Sequence, residues 1–155
     1  MSEPTNNSFI KHLKPRKNGK YHQGVIDPKA CKKYYSSCQG EPIIYRSGLE
    51  LQFIQYCENL PSITKWASEP IAIEYFSRLD NKIAKYYPDY IIENEDGHRC
   101  IVEIKPYDQT IRPKENDSLW LKKAWIKNLD KWNAAKRFAE EHGMKFIIVT
   151  EKFFL

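Results

Sequence analysis

Two strand-forming stretches, KYYPDYIIEN (85–94) and HRCIVEIK (98–105), stand on either side of Asp96-Gly97. An Asp-Gly step between apolar runs is a strong short-range hairpin signal, because the tight turn needs a left-handed backbone that glycine adopts at little cost. A hairpin alone is marginal in water, so its apolar face commits the rest of the chain to covering it. With a loop of Glu95-Asp96-Gly97, Asn94 faces His98 and Asp89 faces Glu103. Alternation then puts Asp89, Ile91, Ile101, Glu103 and Lys105 on one face. Carboxylates opposed across a strand pair destabilise it unless something cationic intervenes. Lys105 is one candidate and a divalent metal ion is the other.

The flanking segments supply what the hairpin lacks. SGLELQFIQYCENL places apolar residues at 49, 53, 56, 57 and 60, which is helical spacing. Ser47 followed by Glu50 is a capping-box signature, and Pro61 closes the helix. IAIEYF (71–76) alternates as a strand does. Beyond a polar loop, Asp117 or Ser118 caps a second helix that stops at His142-Gly143, and KFIIVT (145–150) is a last strand. The expected order after residue 40 is α, β, β, β, α, β: a mixed α/β (α+β) sheet flanked by helices.

A chain of 155 residues holds one core of useful size, and 41% hydrophobic residues exclude a disordered protein. No apolar run approaches the ~18–20 residues of a membrane span, and the start lacks the apolar centre of a secretory signal; a soluble protein with no membrane partner is expected. Residues 1–40 hold eight Lys/Arg against Glu3 and Asp27, a net +6, while the remaining 115 hold 17 basic and 18 acidic side chains, a net −1. We read 1–40 as a basic, largely irregular arm on a nearly neutral domain, 41–155. Such an arm suits a polyanion, nucleic acid first, with Lys14, Arg16, Lys17 and Lys20 as phosphate contacts. Cys31, Cys38, Cys57 and Cys100 form neither a CxxC pair nor a secreted framework and are expected as reduced thiols.

Asp89 and Glu103 offer oxygen donors of the kind Mg²⁺ prefers, with Mn²⁺ as a substitute. A metal-coordinated water is a nucleophile, and Lys105, two residues beyond Glu103, is placed to position or deprotonate it and to offset charge at phosphorus. Glu50 shares its helix side with Phe53, Ile54 and Cys57, where a carboxylate is costly unless paired or metal-bound; completing the capping box with Ser47 is the simpler alternative. Arg46 can grip a phosphate or pair with Glu50. Trp125 and Trp132 lie on the apolar helix face and are assigned to the core.

Glu50, Pro88-Asp89 and Glu103-Ile104-Lys105 in this element order resemble the PD-(D/E)xK nuclease superfamily, with its restriction-endonuclease-like core. That resemblance implies Asp89, Glu103 and the backbone carbonyl of Ile104 as metal ligands, Glu50 as a ligand directly or through water, and Lys105 as the catalytic lysine. It also implies that the second helix lends a polar side chain, so Lys131 can reach the DNA; a solvated Lys131 is the alternative. IIYRSGLELQFIQYCE, ITKWASEPIAIEYF and NLDKWNAAKRFAEEHGMKFIIVTE are similar to the head completion nucleases of tailed bacteriophages and, more distantly, to transposon-end endonucleases; the similarity runs over about residues 40–151. It implies a metal-dependent nuclease that processes packaged double-stranded DNA so that head and tail join. Such a protein would act in the bacterial host's cytoplasm or as part of the phage head or neck, with portal or neck proteins as further partners of the arm. The alternatives are a neck or connector protein that binds DNA or portal without cutting, and a transposon-end or defence endonuclease.

Overall fold

The computed structural model describes residues 23–35 and 41–155. Its strands are β1 (Gly24–Ile26), β2 (Ile43–Tyr45), β3 (Ile63–Ser68), β4 (Ile73–Ser77), β5 (Lys82–Tyr86), β6 (Tyr90–Asn94), β7 (Arg99–Ile104) and β8 (Lys145–Val149). Two α-helices, α1 (Gly48–Asn59) and α2 (Leu119–Glu141), accompany them. Hydrogen bonding orders one sheet as β3-β6-β7-β8 and leaves β1–β2 and β4–β5 as two-stranded ribbons. β8 returns parallel to β7 after α2, with Glu103 opposite Ile148 and Ile104 opposite Val149. This is the mixed α+β architecture expected of a restriction-endonuclease-like fold.

The helix ends follow their side chains. Ser47 Oγ accepts from the N–H of Glu50 at 3.0 Å, and the Glu50 carboxylate reaches back to the N–H of Arg46, one residue beyond the usual capping-box target. Ser118, not Asp117, caps α2 by accepting from Leu121 N at 3.2 Å. The Asp96-Gly97 turn forms as expected: Asn94 N donates to His98 O at 2.9 Å, and Gly97 sits at φ +80°, where a side chain would be strained.

Three expectations need correction. KYYPDYIIEN is not one strand: Pro88 carries no N–H to donate to a ladder, so the chain breaks at Tyr87-Pro88-Asp89 between β5 and β6. Five strands, β3 to β7, therefore lie between the helices where three were expected. β5 pairs antiparallel with β4 through a turn at 78–81, with Asn81 at φ 51°. β3 gives no strand signal because its burial reads Ile63 in, Thr64 and Lys65 out, Trp66 in, which is no clean alternation. The expected arm also contains structure in its described part: β1 pairs antiparallel with β2, Gly24 opposite Tyr45. Any side chain at Gly24 would collide with the Tyr45 ring.

The described residues form two compact units, one of those up to Ser68 with Ile92–His98, the other of Glu69–Ile91 with Arg99–Leu155. In the first, α1 packs on β2 and β3, burying Ile26, Ile43, Tyr45, Phe53, Ile54, Cys57, Ile63 and Trp66. In the second, α2 packs on β4, β7 and β8 over a cluster of Ile73, Tyr75, Tyr86, Ile101, Ala134, Ala135 and Ala139. Trp132 is buried and meets Trp125 edge to face at 6.0 Å, as the helix spacing implied. Trp66 is buried too, whereas Trp120 is 75% exposed. Cys31 and Cys57 are buried free thiols and Cys100 is a half-buried one; Cys38 lies outside the described residues. Among the described residues no helix is long and apolar enough to cross a membrane.

Candidate active site

The break at Pro88 positions the first acidic residue. Asp89 is half-buried, and its backbone carbonyl accepts from Glu69 N at 2.9 Å. Its side-chain Oδ2 accepts from the backbone N–H of Ile104 at 2.7 Å. The carboxylate is therefore anchored to the end of β7.

Glu103 is buried, with 8% of its surface accessible. Its Oε2 accepts a short hydrogen bond from the hydroxyl of Tyr86, and its Oε1 lies 3.6 Å from Lys105 Nζ. A carboxylate this deeply buried is costly without partners, and here the phenol and the ammonium supply them. Lys105 is held in turn by its strand, its N–H donating to Val149 O at 3.0 Å. Ile104, between them, is buried with its N–H committed to Asp89.

Lys131 enters from α2. It is half-buried, and its Nζ sits 5.7 Å from the centroid of the Tyr86 ring. Desolvation pulls its ammonium below the ordinary lysine range; Lys127 and Lys105 push the same way, against Glu103 and Asp89. Burial, then the charge of Glu103 and the hydrogen bond to it, then Asp89, drive the Tyr86 phenol far above its ordinary range. It therefore stays a donor at any working pH. Both groups feel both carboxylates, so Asp89, Glu103, Lys105, Lys131 and Tyr86 form one electrostatic neighbourhood within the second unit.

Glu50 belongs to the first unit, where it is buried at the start of α1 and its carboxylate accepts from Arg46 N. Arg46 is exposed. Lys14, Arg16, Lys17 and Lys20 lie outside the described residues. Among the described residues no group of three or more His, Cys, Asp or Glu side chains is gathered as a metal cluster. Asp89, Glu103 and the Ile104 carbonyl nevertheless present oxygen donors of the kind that hard divalent cations take. Lys105 and Lys131 offset the charge of the two carboxylates.

Residues 60–151 match the family model described as "TnsA-like endonuclease N terminal". The chain belongs to the TnsA-like endonuclease family. It is also 34% identical over 141 residues to the head completion nuclease of Enterobacteria phage T4, covering 84% of this chain and 91% of that protein. This TnsA-like chain is thus a PD-(D/E)xK protein, as Pro88-Asp89 and Glu103-Ile104-Lys105 implied, and its match spans every element from β3 to β8.

Two residues of consequence carry no plain signal in the sequence. Tyr86 looks like one more strand aromatic, and the only local hint is its place three residues before Asp89. Glu58 looks like a solvated helix residue, yet it is as buried as Glu103, with 8% accessible. It accepts from Lys32 N at 2.7 Å, Lys33 N at 3.1 Å and Trp66 Nε1 at 2.8 Å.

Proposed function

We propose that the protein is a divalent-metal-dependent DNA nuclease of phage head completion, hydrolysing phosphodiester bonds in double-stranded DNA. The observation that carries this reading is the gathering of Asp89, Glu103, Lys105 and Lys131 around Tyr86 in a chain of an endonuclease family. The near full-length likeness to the T4 protein favours virion assembly in the bacterial host over transposon ends, since it covers 91% of that relative.

In this reading Asp89, Glu103 and the Ile104 carbonyl hold Mg²⁺, with Mn²⁺ as a substitute. Bound there, the ion lowers the pKa of a coordinated water and screens the phosphate charge. Lys105 Nζ, steadied by Glu103 Oε1, orients the attacking water, takes part in its proton transfer and faces the charge that grows on phosphorus. Lys131, held over Tyr86, offers a partly desolvated cation to a DNA phosphate. Glu50 keeps the role implied by the resemblance, a ligand directly or through water, and Arg46 that of a phosphate contact.

The direct test is plasmid DNA incubated with purified protein and Mg²⁺, repeated with Glu103→Ala and Lys105→Ala. Nicking by wild type alone is the expected result. Equal nicking by all three would mean that a contaminant cuts, and no nicking by any would favour a connector that binds without cleaving. For the arm, deletion of residues 1–22, which stops short of β1, is expected to lower the salt slope of DNA affinity by about one for each phosphate that the arm neutralises. An unchanged slope would assign the arm to a protein partner such as portal or neck.

A further inference from the structure

We propose that Tyr86 is the positioning residue for Glu103, its phenol reserving one carboxylate oxygen so that the other is presented toward Lys105 and the metal. The inference rests on the metal-dependent reading above and adds to it a residue that the nuclease motif does not contain.

Tyr86 is the last residue of β5, immediately ahead of the Tyr87-Pro88-Asp89 break. Its ring is 4% exposed and packs with Ile73, Ile101, Ala134 and Ala135, so its position is set by the core and not by the site. Its hydroxyl donates to Glu103 Oε2. The terminal torsion of a glutamate is soft and nearly two-fold, so an unheld carboxylate exchanges its oxygens freely. A donor fixed by a packed ring removes that freedom. With Oε2 committed, Oε1 is the oxygen that stands 3.6 Å from Lys105 Nζ. The face of the same ring steadies Lys131 at 5.7 Å. One buried aromatic thus organises an acid from β7 and a cation from α2. Hydrogen-bond partners of this kind commonly change metal affinity about 10–100-fold when removed.

Tyr86→Phe deletes only the hydroxyl and keeps the ring for the core and for Lys131. In the full chain without DNA, Mg²⁺ binding by calorimetry and Mn²⁺ binding by electron paramagnetic resonance are expected to weaken about 10-fold or more. At saturating metal the KM for DNA is expected to stay near wild type while kcat falls. Equal cation affinity in wild type and Tyr86→Phe would overturn the positioning role and leave the metal-dependent reading intact. No binding of either cation by wild type would overturn both. Should the Phe variant fail to fold, 3-fluorotyrosine at position 86 decides the matter with the donor retained. Its ¹⁹F resonance is expected to move on adding Mg²⁺, and to stay still in Glu103→Gln. A resonance unmoved by Mg²⁺, in a protein that calorimetry shows to bind it, would overturn the proposal.

Discussion

Glu58, at the end of α1 in one unit, and Glu103, on β7 in the other, are buried to the same degree and solved differently. Glu58 is closed off by three nitrogen donors: the backbone N–H groups of Lys32 and Lys33 and the indole of Trp66. Lys33 completes that knot by donating through Nζ to Cys57 O at 3.0 Å and Leu60 O at 2.7 Å, the last carbonyls of the helix. Neutral, well-aligned donors hold a carboxylate where it is and ask nothing further of it. Glu103 instead has one phenol donor and one lysine at ion-pair distance, with two more charged groups, Asp89 and Lys131, close by. A buried acid that serves architecture is saturated by fixed neutral donors; an acid kept among charged side chains can exchange partners, which a reaction requires.

The largest effect should come from breaking the Glu103 side. Glu103→Gln is expected to lower the nicking rate about 10²–10³-fold while the denaturation midpoint shifts little, because the amide oxygen can still accept from Tyr86. A rate within twofold of wild type would erase the distinction between the two acids. The opposite signature is expected of Glu58→Ala, which strands three donors: about 3 kcal/mol of lost stability in urea unfolding, with activity per folded molecule unchanged. Lost activity at full stability would make Glu58 a site residue after all.

The smallest effect sharpens the Glu58 environment itself. Burial first, then the charges of Glu58 and Asp27, push the Cys31 thiol from its ordinary 9.0 up to about 12. A folded-state value above the unfolded one means that the folded protein holds this proton more tightly. The corresponding stability is complete below pH 9 and is lost as pH rises toward 12. Between pH 9 and 10 the loss is expected to approach about 1 kcal/mol, read from urea midpoints. In Cys31→Ala that alkaline decline should become shallower. A decline of the same steepness in the variant would assign it to other groups.

Much of the fold could be read from neighbours along the chain. The Asp96-Gly97 hairpin, the Ser47 and Ser118 caps, the stop after α2 and the returning strand β8 all depend on residues within a few positions of each other, so the sequence alone determined them. The candidate residues Asp89, Glu103 and Lys105 were picked out in the same local way, as a short motif on either side of one turn. Tertiary structure decided what depends on distant partners. The strand break at Pro88 is stabilised by Glu69 and Ile104 from elsewhere in the chain. Tyr86 meets Glu103 across 17 residues, and Glu58 meets Lys32 across 26. A hydrogen bond between distant positions leaves no period in the sequence, because its geometry exists only once packing has brought the two groups together.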